Sequence, residues 1–141
     1  MKHLMTLAGV LSLTAGAALA DGHASGDPAA GEKAFKQCAS CHVIANGDEV
    51  LGGKGKTGPN LYGVFGRQAG TVAGFRYGDS LVAAGEAGLE WNEEKFLAWV
   101  SDPRKFLQEE LGDKKARSKM SFKLRKGGED IWAYIVSLGP Q

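Results

Sequence analysis

Residues 38–42 read Cys-Ala-Ser-Cys-His, and this pentapeptide holds both cysteines of the 141-residue chain. The spacing C-x-x-C-H is the signature of covalent haem attachment. Two cysteines three residues apart lie on one face of a helical turn, so each sulfur can add to one vinyl group on the same porphyrin edge. His42 follows directly and is placed to bring its imidazole to the iron as the proximal ligand. Three other readings compete. An exported protein can carry its two cysteines as a plain disulfide. A thioredoxin-like redox pair expects a βαβ alternation, which this chain does not show. A zinc site needs further ligands, and beyond the first twenty residues the only other histidine is His23.

Working outward, a second axial ligand must come from a short inventory. Past residue 20 the only methionine is Met120, 78 residues after His42. A lone methionine commonly fills a gap in a core. Met120, however, sits in Arg117-Ser118-Lys119-Met120-Ser121-Phe122, a polar and charged setting without the pattern of a buried helix face. Ligation accounts for it better. A thioether is a soft donor that favours ferrous iron, so a His/Met pair raises the reduction potential. Filling both axial positions leaves none open for substrate or dioxygen, so the expectation is a carrier of electrons and not an enzyme.

The amino terminus reads as a leader. Lys2 supplies a positive start, residues 4–19 are uncharged and mostly apolar, and Ala18-Leu19-Ala20 is a small-x-small cleavage site. Residues 1–20 are therefore expected to be a cleaved secretory signal peptide, leaving 21–141 as one domain in the periplasm. The apolar stretch is short for a bilayer span, which wants about 20 such residues. Removing the leader takes the formal charge from +1 to 0, with 16 basic residues facing 16 acidic ones.

The rest of the chain reads as short helices joined by long loops, and no strand pattern is convincing. Asp27-Pro28 opens the first helix, with aspartate as cap and proline at the first position. Phe35, Cys38 and Cys41 mark its buried side at intervals of three. The glycine-rich stretch 46–59 is expected to be loop. Asp79 caps a helix to about Gly85. Asn92 opens another, with Phe96, Trp99 and Val100 at helical spacing, which Asp102-Pro103 closes. From there to Gly128 the chain is expected to be irregular and basic. A last helix runs from about Glu129 to Leu138, stopped by Gly139-Pro140. A chain of this size buries a modest core, so the expected fold is an all-α wrapper around the cofactor.

From Gly31 to Tyr134 the sequence resembles the class I cytochromes c, in particular the long bacterial cytochrome c2 branch related to mitochondrial cytochrome c. The matching pieces are Gly31 and Phe35, Cys38-x-x-Cys41-His42, Lys56-Thr57-Gly58-Pro59-Asn60-Leu61, Gly66-Arg67, Gly74-Phe75-x-Tyr77, Trp91, Pro103, Lys119-Met120 and Ile131-x-x-Tyr134. The resemblance implies one covalently bound haem c. It implies that the Pro59 carbonyl accepts the Nδ1–H of His42, and that Arg67, Tyr77 and Trp91 hydrogen-bond or balance the haem propionates. For Trp91 a plain place in the core is equally open. Gly31, Phe35, Ile131 and Tyr134 would pack the first and last helices together. The sequence departs from the family pattern at Trp99, where a tyrosine usually stands near the methionine; an indole N–H donates but cannot accept. The stretch from Phe106 to Met120 is also longer than in mitochondrial relatives.

Charge is unevenly spread. Residues 113–126 hold seven bases and one acid, whereas 86–94 hold four acids and no base. A basic run is often only a solvated face, but this one flanks Met120. Lys114, Lys115, Lys119, Lys123, Arg125 and Lys126 are therefore expected to dock the haem edge onto acidic surfaces of larger redox complexes. Export excludes nucleic acid as a partner, and the mature chain is expected to be a monomer outside the membrane. The resemblance implies electrons taken from a cytochrome bc1-type complex and passed to a photosynthetic reaction centre, a terminal oxidase or a periplasmic reductase. The alternative is a haem-based gas sensor with a labile methionine.

Overall fold

The computed structural model describes residues 24–140. The leader, its cleavage site and His23 lie outside the described residues. Five helices and one hairpin follow in order: α1 Pro28–Ala34, a 3-10 turn at Phe35–Gln37, β1 Val43–Asn46, β2 Glu49–Gly53, α2 Asp79–Glu86, α3 Glu93–Ser101, α4 Pro103–Leu111 and α5 Gly128–Ser137.

Helix starts obey their caps. The Asp27 side chain accepts from the Ala29 N–H at 2.9 Å, and Pro28 opens α1. Asn92 caps α3 by accepting from the Lys95 N–H at 2.8 Å. Gly78, one residue earlier than expected, is the N-cap of α2, and Asp79 is its first residue.

The first helix ends at Ala34 with a 3-10 turn to Gln37, so of its expected buried side only Phe35 is buried, while Cys38 is half-buried and Cys41 exposed. The remaining helical framework stands, with two corrections. Part of the stretch expected to be loop is an antiparallel hairpin, β1 against β2. Gly47, at φ +59°, supplies the positive φ that a two-residue hairpin turn needs. The β-branched Val43 and Ile44 suit a strand, a signal masked by the glycines around them. The second correction is α4. Asp102-Pro103 ends one helix and starts the next, just as Asp27-Pro28 does. Asp102 is extended (φ −159°, ψ 92°), which stops α3, while its carboxylate accepts from the Lys105 N–H and caps α4. Gly112 in the left-handed region closes α4, and Phe106 and Leu107 seal it to the core.

The centre of the packing is the crossing of α1 on α5, as expected. A Cβ on Gly31 would stand 1.9 Å from the Asp130 carbonyl oxygen and 2.8 Å from Tyr134 Cβ, so the two backbones touch there. The Phe35 and Tyr134 rings meet at 5.5 Å. On the other side of α5, Trp132 is fully buried and its ring lies 5.1 Å from that of Phe96 in α3. A second aromatic group, Trp91, Trp99 and Phe106, joins the strand-like entry to α3 with α3 and α4 at 5.6–6.2 Å between rings. Among the described residues no helix is long and apolar enough to cross a membrane.

Candidate cofactor site

Between these aromatic groups, the 38–42 turn and the 113–122 segment lies a cavity of about 690 Å³, within the range of small-molecule and cofactor pockets. All eight residues expected to bind the cofactor line it: Cys38, Cys41, His42, Pro59, Arg67, Tyr77, Trp91 and Met120. Its walls are largely apolar, with Leu61, Val64, Leu81, Phe96, Trp99 and Ile135 among them.

The haem motif is positioned by the turn after α1. Ala39 and Cys38 donate to the Phe35 carbonyl, and His42 N–H donates to the Cys38 carbonyl at 2.8 Å, so the expected helical turn is present. The sulfurs of Cys38 and Cys41 are not joined in a disulfide. They differ in setting. Burial, and next the neighbouring Cys41, pushes the Cys38 thiol up to about 11, whereas the hydroxyls of Thr57 and Ser40 hold the Cys41 thiol below its ordinary value. No cluster of three His, Cys, Asp or Glu suited to a metal occurs among the described residues, which removes support from the zinc reading.

His42 Nδ1 lies 2.8 Å from the Pro59 carbonyl oxygen. A carbonyl only accepts, so Nδ1 carries the proton and Nε2 keeps its lone pair free. Burial lowers the imidazole's pKa, partly offset by that hydrogen bond. The neutral, metal-binding form is thereby favoured. Arg67 gives one nitrogen to the Tyr62 carbonyl at 2.9 Å and another to the Asn60 carbonyl at 3.0 Å, which braces the loop bearing Pro59. It has no carboxylate partner among the described residues. Burial holds its pKa below the usual value. Tyr77 accepts from the Val72 N–H at 3.3 Å, and its phenol is shifted up, chiefly by burial. Trp91 packs on Trp99 and Phe106 and also lines the cavity.

Several site residues escaped the sequence reading. Lys56, Arg76 and Arg117 join Arg67 and Lys119 on the cavity lining, and no acidic residue lies there. The Ser118 hydroxyl is buried and unpartnered on the same wall. Asn60 clamps the loop to the hairpin, accepting from the N–H groups of Ala45 and Tyr62 and donating to the Ala45 carbonyl at 2.7 Å. Gly53, Gly55 and Gly58 press their backbones on His42 and Cys41. Lys56, Gly58 and Asn60 fall within the family-matching stretch 56–61, but their contacts with the site were not legible, because each depends on which loop returns to the motif.

The expected docking residues divide. Lys119 lines the cavity and ties itself to the Arg76 carbonyl at 2.9 Å. Lys123 is paired with Asp102. Lys114, Lys115, Arg125 and Lys126 do not line the cavity, form none of the three ion pairs seen among the described residues and are exposed or nearly so.

These features fit a haem. An apolar cavity holds a soft sulfur donor and an imidazole with a free Nε2. Two thiols stand at its edge, and uncompensated cations and an orphan hydroxyl can receive propionates.

No family model matches the chain, but individual relatives do. It is 60% identical to cytochrome c-551 of Roseobacter denitrificans over 135 residues, 94% of each chain. It is 50% identical to cytochrome c2 of Rhodobacter capsulatus over 140 residues, 98% of each. Among solved structures, cytochrome c2 of Rhodobacter sphaeroides superposes with a TM-score of 0.80 at 51% identity, covering 83% of this chain and 99% of that one. Ferric cytochrome c-550 of Paracoccus versutus gives 0.79 at 41% identity, covering 82% and 100%. The chain therefore belongs to the class I cytochromes c, in their cytochrome c2 branch: it is an electron carrier with one haem c attached through Cys38 and Cys41.

Proposed function

We propose that this cytochrome is a soluble, monomeric single-electron carrier of the periplasm, with His42 and Met120 as the axial ligands of its haem. The observation that carries the reading is that both side chains line one cavity, while Pro59 holds the imidazole proton at Nδ1. That leaves Nε2 of His42 and the Met120 sulfur as the two donors suited to iron. The haem supplies a one-electron couple. The protein's part is to exclude water with the aromatic walls and to set the field. The cations on the lining offset propionate charge in a medium of low dielectric. Arg67, Tyr77, Trp91 and Ser118, all on the lining, would serve the propionates.

With His42 and Met120 both holding the iron, no position would be left open for a substrate, and the protein would carry electrons without further chemistry. The exposed cations of 114–126 steer it onto acidic surfaces of larger complexes. By family resemblance the donor is of the cytochrome bc1 type, and the acceptor a photosynthetic reaction centre, a terminal oxidase or a periplasmic reductase. Periplasmic location rests on the leader expected at 1–20.

The test is the visible spectrum of the exported protein, oxidised and reduced, with and without carbon monoxide. The reading expects a haem c spectrum, the weak long-wavelength sulfur-to-iron band, and no response to carbon monoxide. A missing band or a prompt carbon monoxide shift would replace the carrier by a gas sensor with a labile methionine.

A further inference from the structure

We infer that Gly58 sets the rotation of the His42 imidazole, and with it the orientation of the proximal ligand over the haem. This rests on His42 being that ligand. The ring is held by its bond to Cβ and by one hydrogen bond, from Nδ1 to the Pro59 carbonyl, and a hydrogen bond's broad angular tolerance still leaves the ring room to rock about the Cβ–Cγ bond. The second constraint comes from the preceding residue.

A Cβ on Gly58 would stand 2.4 Å from His42 Cε1, 2.6 Å from Nδ1 and 2.8 Å from Nε2. Three nearly equal distances to adjacent ring atoms place that point over the ring face. A point beyond the ring edge would be clearly farther from both nitrogens than from Cε1. The imidazole face therefore lies on the bare Cα of Gly58. Carbon contacts are comfortable only from about 3.5 Å, so any side chain at this position turns or displaces the ring by roughly 1 Å.

Gly58 cannot retreat to make room. Its N–H donates to the Cys41 carbonyl at 2.7 Å. The chain leading to it is pressed on the same motif: a Cβ on Gly55 would lie 2.2 Å from the Cys41 carbonyl carbon, and one on Gly53 would lie 2.3 Å from the His42 carbonyl oxygen. The hairpin is what returns the chain to this place. Leaving His42 as β1 and coming back as β2, it delivers three glycines to the backbone and ring of the motif. The hydrogen bond selects the tautomer; the glycine selects the plane. The orientation of the axial imidazole, together with that of the methionine sulfur, decides how unpaired spin is shared among the porphyrin pyrroles, so turning the imidazole alone changes the pattern.

The experiment compares the oxidised wild type, Gly58→Ala and Asn92→Ala by proton NMR of the hyperfine-shifted haem methyl groups and by low-temperature electron paramagnetic resonance. Asn92→Ala is a control for general loss of stability, since Asn92 only caps α3. The expected result is a changed spacing of the four methyl resonances and changed g values in Gly58→Ala, with the wild-type pattern in Asn92→Ala. A wild-type pattern in Gly58→Ala overturns the inference, as does an equal change in both variants. The reduced wild type provides a measurement that needs no variant. A Gly58 Hα to His42 Hε1 Overhauser contact is expected, and its absence overturns the inference. In the same spectrum, His42 ring protons lacking the large upfield ring-current shift of an axial ligand would overturn the ligand reading itself. With those protons shifted and the methyl pattern unchanged in Gly58→Ala, only the inference falls.

Discussion

Replacing Gly31 by alanine tests the α1–α5 crossing by the sign of its effect. A glycine within a helix ordinarily gains about 1 kcal/mol on becoming alanine, because glycine loses more backbone freedom on folding. Here the added carbon would stand 1.9 Å from the Asp130 carbonyl oxygen, 2.5 Å from its carbon and 2.8 Å from Tyr134 Cβ. The atoms struck first are backbone and cannot swing aside, so the helices must part by roughly 1.5 Å to reach ordinary contact. That strains the bond from Asp27 N–H to Asp130 at 2.9 Å and opens the seal over Phe35, Ile131 and Ile135, all buried. Overpacking costs typically about 1–3 kcal/mol, and a backbone clash belongs at the upper end; less the propensity gain, the net loss is about 2 kcal/mol. With a guanidinium slope of about 3 kcal/mol/M, the midpoint of unfolding falls by about 0.7 M. The assay is equilibrium unfolding of the oxidised protein followed by far-ultraviolet circular dichroism. A midpoint equal to or above the wild type would refute the close crossing.

Three further outcomes follow from the site and its supports. Asn60→Ala removes three part-buried hydrogen bonds, each worth about 1 kcal/mol, so chemical denaturation should show a loss of about 2–3 kcal/mol; a loss under about 0.5 kcal/mol would mean the clamp is idle. The Asp102 carboxylate is held below its ordinary range, first by Lys123 and then by the Lys105 N–H, so it stabilises the fold above the unfolded aspartate pKa near 4 and ceases to as pH falls through its lower folded value. Asp102→Asn keeps a capping oxygen, so its melting temperature should lie below wild type at neutral pH and converge with it in acid; a gap that persists at pH 2 contradicts the ion pair as its source. Neutralising Lys114 and Lys115 together should slow association with an acidic redox partner more than neutralising Lys123, whose charge Asp102 already balances, and the wild-type rate should drop steeply with salt. A rate insensitive to ionic strength would rule out steering.

The haem motif and its ligand candidates were legible because they are local chemistry. Cys38, Cys41 and His42 are neighbours, and Met120 is the single thioether past the leader. Cap residues likewise announced α1 and α3. The same rules misfired at Asp102-Pro103, where a stop and a start coincide. A cap is a local hydrogen bond, but only the burial of Phe106 and Leu107 decides that the next nine residues stay helical. The hairpin was hidden for a related reason, since its strands are short and its glycines resemble loop.

By itself, then, the sequence determined the cofactor, its attachment points and the family, and it nominated His42 and Met120 as the axial donors. These depend on residue type and on spacings of a few residues. Tertiary structure decided what surrounds them. It brought Gly58 under the imidazole, put an orphan Ser118 hydroxyl and five cations on the lining without an acid, and tied two of the expected docking lysines, both still exposed, to partners within the chain. Each of these pairs residues far apart in the chain, and such pairing is settled by which surfaces can be buried together, a quantity no short stretch of sequence contains.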